Sequence, residues 1–225
     1  MVDESRILMY NRDNDFCERG TVVSTGKFIV FEGIDGCGKS TQIKLLSQHL
    51  TAKGRSVQIT AEPTATETGK MLREALSGRV ERTAFEMAAL FTLDRIVHNV
   101  VKGGIEDMLN AGQDVLSDRY YYSSLAYQGS LCDFDWVKGM NVGCPAIRRP
   151  DLCIFLDISP KQALSRIGKR GEAKEIYEKE ETLTLFRDTF LRVFDLLSDN
   201  VAIIDASGSA DEVAARVLAA VEAVL

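Results

Sequence analysis

The period of the apolar positions switches back and forth along the chain. Lys27-Phe-Ile-Val-Phe-Glu32 is a short apolar run rich in β-formers. Past a glycine-rich break, Ile43, Leu45, Leu46 and Leu50 recur at near-helical spacing. Ser56–Ala61 reads as a second strand, ended by Glu62-Pro63, and residues 67–77 as a helix with Met71, Leu72, Ala75 and Leu76 on one side. Residues 83–110 form one long apolar-periodic stretch, read as a single helix. Asp114–Asp118, Leu152–Asp157 and Val201–Asp205 are further strands, with helical stretches at about 160–167, 178–198 and 209–224. This alternation predicts an α/β fold, a five-stranded and mostly parallel sheet with helices on both faces. Right-handed crossovers follow by rule. Ligands of such sheets bind outside the carboxyl ends of the strands. Glu32, Glu62, Asp118 and Asp157 each close a strand and are candidates to face a site.

Composition narrows the picture. A chain of 225 residues, 45% hydrophobic, can bury one sizeable core, so residues 27–225 are expected to form one domain. Residues 1–26 are polar and without clear period, and are read as an N-terminal extension. They could equally pack as a short extra element or mediate oligomer contacts. A net charge of −6 gives no basic footprint for a nucleic-acid polymer. In an acidic chain that binds polyanions, the placement of arginines is informative. Five cysteines with no C-x-x-C pair argue against a disulfide framework or zinc site and fit a reducing cytoplasm. No apolar run reaches the roughly 18 residues of a membrane span, and the N-terminus lacks a signal-peptide core.

The candidate chemistry begins in the break after the first strand. Gly33-Ile34-Asp35-Gly36-Cys37-Gly38-Lys39-Ser40-Thr41 fits G-x-x-x-x-G-K-[ST], a loop whose N–H groups wrap nucleotide phosphates at a helix start. Gly33, Gly36 and Gly38 permit close backbone approach. Lys39 supplies a cation for the outer phosphates and Ser40 a hydroxyl for Mg²⁺. Cys37 lies among N–H groups that should favour a thiolate; the plainer reading is a small residue tolerated at a variable position. Kinases, switch GTPases and motor ATPases all use this loop.

Three further segments bear on an acceptor. Phe91 and Arg95, at i and i+4, share a helix face and suit stacking and edge recognition of a base. Spacing alone favours a core phenylalanine with a surface arginine. Asp118, after an apolar strand, can hold Mg²⁺, and Arg119 beside it can grip an acceptor phosphate. Arg166-Ile-Gly-Lys169-Arg170-Gly171 suits a short basic lid over the transferring phosphoryl group, or is a solvated charge run.

Gly33–Thr41, Glu62-Pro63-Thr64, Phe91–Arg95, Asp118–Gly129 and Arg149–Pro160 together resemble the thymidylate kinase family, in the family's order, over roughly residues 27–224. The resemblance implies a P-loop kinase fold and phosphoryl transfer from ATP to dTMP with Mg²⁺. It also implies a homodimer, with a dimer face on the long 83–110 helix and its neighbours. Lys39, Asp35, Arg119 and Arg170 would be catalytic. The loop residues Gly33 to Thr41, with Arg166 and Arg170, would bind ATP. Asp35 would accept from the sugar 3′-OH, Phe91 stack on thymine, and Arg95 bond its carbonyl edge. Arg119 and Arg73 would clamp the acceptor phosphate. Ser124 would lie against the base, and Tyr127 would crowd the sugar's 2′ position. Glu62, Pro63 and Gln128 complete the substrate set, and Ser40 and Asp118 are the metal candidates.

The lid carries the basic residues, so the chain is similar to the lid-arginine style of the family. Arg170 is then first choice for the cation at the transferring phosphate, and Tyr177 is placed at the border of the thymidine pocket. One departure is Ala61, where many members have Arg. The rival readings are another nucleotide or nucleoside kinase, a nucleotide switch or ATPase, and an inactive relative. No Asn-Lys-x-Asp base reader supports a guanine switch, and the intact Lys39, Ser40, Asp118 and lid arginines argue against inactivity.

Overall fold

The computed structural model describes residues 26–168 and 179–225. Five parallel strands form one sheet in the order β2-β3-β1-β4-β5, where β1 is Phe28–Glu32, β2 Val57–Ala61, β3 Asp114–Asp118, β4 Leu152–Asp157 and β5 Val201–Asp205. β1 lies at the centre, with Phe31 in register with both Asp118 and Ile154. All five of its residues are buried, because helices cover both faces. The edge strands β2 and β5 are only half covered, and Ile59 and Ile203 face outward.

Alternation along β1 feeds two cores. Ile29 and Phe31 join an apolar cluster with Leu46 and Leu50 of α1 (Lys39–Ala52) and Val213 and Val217 of α9 (Ala210–Glu222). Phe28 and Val30 point to the opposite face. They join Ala88 of α3 (Ala84–Val100), Leu109 of α4 (Ile105–Asn110), Leu125 of α5 (Tyr121–Tyr127) and Val137 of α6 (Phe134–Val142). α2 (Glu67–Leu76) packs against α3. α7 (Pro160–Gly168) and α8 (Glu180–Leu196) flank β4 in the chain, and Phe186 and Phe190 of α8 enter the two cores separately.

The chain leaves β1 toward one edge of the sheet and leaves β3 toward the other. The carboxyl ends of these neighbouring strands therefore meet at the topological switch point, where an α/β sheet opens a crevice.

The single helix expected over 83–110 is broken. α3 ends at Val100, and the turn through Gly103, at φ +78°, restarts the chain as α4. Apolar periodicity ran across a turn that a non-glycine residue would resist. Two helices, α5 and α6, had no reading in the sequence. α5 has seven residues and no side-chain cap, which leaves little local signal. α6 did carry one: Asp133 caps it by accepting from the Trp136 N–H at 2.8 Å. Gly26, assigned to the extension, is buried and donates its N–H to the Leu109 carbonyl at 3.0 Å.

Candidate active site

The loop from Gly33 to Gly38 joins β1 to α1 at the switch point. Gly33 has φ +142°, and a Cβ there would lie 2.8 Å from the Leu156 carbonyl oxygen. A Cβ on Gly36, at φ +81°, would lie 2.6 Å from the Ala163 carbonyl oxygen of α7. Glycine is thus required at both positions by backbone angle and by close packing. Gly38 caps α1 with no side-chain hydrogen bond, so the first amides of the helix keep their capacity for an anion. Lys39 is nearly buried and folds back, its Nζ donating to the Gly33 carbonyl at 3.1 Å. Ser40 donates its hydroxyl to Asp118 Oδ2 at 3.3 Å, which brings the two metal candidates together.

Of the two readings of Cys37, the thiolate does not fit this loop, and the plainer one, a small tolerated residue, is left. The side chain is buried, and burial pushes the thiol up despite the positive charges of Lys39 and Arg119. Arg166, at the last turn of α7, donates to the Cys37 carbonyl at 3.1 Å and the Ala206 carbonyl at 2.9 Å. It thereby ties the phosphate loop to the loop after β5 and lines a cavity beside Gly38 and Thr41. Lys169, Arg170 and Tyr177 lie outside the described residues.

A second cavity, of about 240 Å³, opens beside the first turn of the loop. Asp35, Glu62, Pro63, Phe91, Arg95, Arg119, Ser124, Tyr127 and Gln128 all line it. Arg73 does not. It lines the adjoining groove with Ser40, Lys44 and Asp118, and its Nη1 donates to the carbonyls of Pro63 and Thr64. Spacing alone suggested a surface arginine at 95 and a core phenylalanine at 91. The structure reverses both: Arg95 is only 1% exposed, while Phe91 is half-buried and borders the cavity. Arg95 can be buried because Glu62 accepts from its Nε and Nη2 at 2.8 and 2.6 Å. His98 Nδ1 contacts the other oxygen of Glu62 at 3.0 Å, and its Nε2 meets Thr60 Oγ1 at 2.6 Å.

Arg119 is held in a backbone conformation that side chains resist. Its φ is +70°, which costs about 1–2 kcal/mol outside glycine. Neighbours supply the restraint. Its N–H donates to the Phe31 carbonyl at 2.9 Å, and its own carbonyl accepts from Ser117 Oγ at 2.9 Å. Glu32, fully buried, accepts from the Tyr120 and Ser123 N–H groups at 2.8 and 3.1 Å and from Ser123 Oγ at 2.7 Å. Burial pushes the Glu32 carboxyl up, opposed by Arg119 and by those hydrogen bonds. The Arg119 guanidinium then pairs with Asp35, donates to Ser123 Oγ at 3.0 Å and lies over the Tyr127 ring at 5.4 Å. Burial opposes its charge, but Tyr127, Asp35, Glu32 and Asp118 together raise its pKa well above the ordinary value.

The strand-end carboxylates thus divide. Glu62 borders the cavity and Asp118 the groove, whereas Glu32 braces the turn behind Arg119. Asp157 is taken up by Arg187 of α8 at 2.6 Å. Sequence reasoning missed Leu76, Tyr120 and Ser123 in the cavity wall, and His98 and Asn141 behind Arg95. His98 had a signal, since it follows Arg95 by one helical turn.

Among the described residues no cluster of three or more His, Cys, Asp or Glu side chains could hold a metal ion. One hydroxyl and one carboxylate, Ser40 and Asp118, suit an ion that takes its other oxygens from nucleotide phosphates and water, as Mg²⁺ does. Also among the described residues, no helix is long and apolar enough to cross a membrane.

A five-stranded parallel sheet, a phosphate-binding loop at its switch point and a pocket sharing a wall with that loop define a P-loop phosphotransferase. Residues 31–217 match the family model described as thymidylate kinase, and the chain belongs to the thymidylate kinase family. It is 37% identical over 203 residues to the probable thymidylate kinase of Pyrococcus horikoshii, covering 88% of this chain and 96% of that one. It is 42% identical over 194 residues to the thymidylate kinase of Akkermansia muciniphila, covering 85% and 89%. The solved thymidylate kinase of Candida albicans superimposes with a TM-score of 0.74 at 26% identity, over 88% of this chain and 92% of that one.

Proposed function

We propose that the enzyme transfers the γ-phosphoryl group of ATP to the phosphate of dTMP, giving dTDP and ADP. One observation carries this reading: Asp35 belongs to the phosphate loop and also lines the cavity that gathers Phe91, Arg95, Arg119 and Tyr127. Acceptor pocket and donor loop therefore share a wall, as in-line transfer needs.

Phosphoryl transfer asks a protein mainly for positioning and charge neutralisation. The loop amides and Lys39 hold the donor phosphates. Arg119, pre-set by the Glu32 turn, aims the acceptor phosphate, with Arg73 reaching it from the adjoining groove. Asp35, now paired with Arg119, takes the sugar 3′-OH. Phe91 stacks on the base, Arg95 bonds its carbonyl edge, and Ser124 and Gln128 border it. The Tyr127 ring fills the space a 2′-hydroxyl would need. Ser40 and Asp118 would hold Mg²⁺, which would supply positive charge to neutralise the donor phosphates. A nucleoside monophosphate is largely ionised near neutral pH, so the site needs no strong general base. Arg170, outside the described residues, is the cation proposed for the transferring group. A cytoplasmic setting is part of the same reading and rests on the cysteine usage.

ADP release with ATP, Mg²⁺ and a panel of dTMP, dUMP, UMP, dCMP, dGMP, AMP and thymidine tests the assignment. Strong preference for dTMP is the expected result. Faster turnover of another acceptor would keep the phosphate chemistry and overturn the base pocket.

A homodimer is the second part of the proposal. Phe85, Leu93 and Val100 of α3 are 57%, 46% and 48% exposed, and with Ala89 they follow one side of the helix at near-helical spacing. An apolar helical stripe of this kind suits a partner's matching face. Light scattering at micromolar protein should give twice the chain mass of 24.9 kDa, and a monomer would reject the dimer.

A further inference from the structure

Arg95 is held from every side. Its guanidinium carbon lies 5.3 Å over the Tyr120 ring. Nε and Nη2 both donate to Glu62 Oε2, and Nη1 donates to Ser124 Oγ at 3.1 Å and to Asn141 Oδ1. A guanidinium has five N–H donors, and four are taken by these bonds. Among the described residues nothing takes the second Nη2 hydrogen, which leaves it for an occupant of the cavity.

Asn141 does not line that cavity. It is 0% exposed on α6, and its Nδ2 donates to the Val137 carbonyl at 2.8 Å and to Thr92 Oγ1 at 3.2 Å. These bonds decide which amide atom faces Arg95: the nitrogen is engaged, so the oxygen points at the guanidinium. Glu62, held by His98, grips the opposite edge.

We propose that Asn141 is a positioning residue for base selection, acting through Arg95, with His98 as its counterpart behind Glu62. The inference rests on the base pocket described above. A pyrimidine with a carbonyl at the recognised edge accepts the remaining hydrogen. A pyrimidine with an amino group there meets donor with donor. The guanidinium cannot turn aside without giving up a buried bond to Asn141 or Glu62, and such a loss is costly. The clamp therefore converts one hydrogen into discrimination between thymine and cytosine.

The test compares kcat and KM for dTMP and dCMP, with ATP and Mg²⁺, in the full-length enzyme. Asn141→Ala should lower the dTMP:dCMP ratio of kcat/KM about tenfold, mostly through the KM for dTMP, while the KM for ATP moves less than about twofold. Asn141→Asp keeps an oxygen facing Arg95 and should hold the ratio within about threefold of wild type. A purely structural role would lower Tm in both variants and leave the ratio and the KM–kcat split unmoved, which would overturn the proposal. If Asn141→Ala does not fold, His98→Asn decides: a drop of about threefold supports the clamp and an unchanged ratio overturns it. Failure of the base pocket itself is distinguishable, because wild type would then show no preference for dTMP before any variant is made.

Discussion

The two halves of the proposed site are built from different materials. The donor half is mostly backbone: glycines at 33, 36 and 38, the uncapped start of α1, and Lys39 returning to a carbonyl of its own loop. The acceptor half is mostly side chain, an interlocked set in which Glu62, Arg95, Asn141 and His98 hold one wall and Glu32, Arg119, Asp35 and Tyr127 the other. Phosphate groups are alike in every nucleotide, so amides and one cation suffice to bind them. A base and a sugar must be told from near relatives, which needs shaped and fixed side chains.

The sharpest way to break this contrast is Lys39→Ala. The donor half depends on this side chain, so kcat should fall by about 10³-fold or more while dTMP affinity, measured by calorimetry without ATP, stays near wild type. Loss of dTMP binding as well would show that the halves are not separable. Tyr127→Ala probes the other half. Its ring packs on Phe186 at 4.1 Å and meets the Arg119 guanidinium, so it is fixed rather than adaptable. Removing it should narrow the preference for dTMP over the ribonucleotide UMP about tenfold with the KM for ATP unchanged. Equal rejection of UMP would show that another group is the filter.

The smallest effect on turnover should come from Asp94, behind the acceptor half. Its carboxylate accepts from the Thr64 N–H at 2.8 Å and from the hydroxyls of Thr64, Thr66 and Thr68 at 2.6, 3.1 and 2.6 Å. It thus pins to α3 the loop whose carbonyls hold Arg73. Burial would raise its pKa, but the threonine bonds outweigh burial and lower it. A depressed carboxylate stabilises the fold above its unfolded pKa, and that stability is lost as pH falls through the folded value. Asp94→Asn should cost about 1–3 kcal/mol at pH 7, and its deficit against wild type should shrink once pH drops below about 4. Urea unfolding at pH 7 and pH 3 checks this, and a deficit equal at both would remove the ionised carboxylate from the account.

The same contrast explains what could be read in advance. The phosphate loop is legible because its physics is local: glycine spacing, a preceding strand and a following helix all lie within about twenty residues. β1 and β4 were equally clear, since burial on both faces makes them nearly continuous apolar runs. The cavity was legible only residue by residue. Its members lie far apart in the chain, Arg95 being 33 positions from Glu62 and 46 from Asn141. The motifs named Phe91, Arg95, Arg119 and Tyr127, but not what holds them. Nothing local announces that an arginine on an apolar helix is buried rather than exposed, because the partner that permits it sits on another element. Likewise Cys37 was placed among amides, and only the three-dimensional packing shows that burial prevails.

The clamp on Arg95 bears on how such a protein can change. Replacing that arginine alone would take the Arg95 bonds from three buried oxygens, Glu62 Oε2, Ser124 Oγ and Asn141 Oδ1, a loss that compounds rather than adds. A lineage moving toward a different base would have to alter several of these positions together or pass through a damaged intermediate. On the proposed reading, the residues that make the pocket selective therefore also make its selectivity hard to inherit away, one substitution at a time.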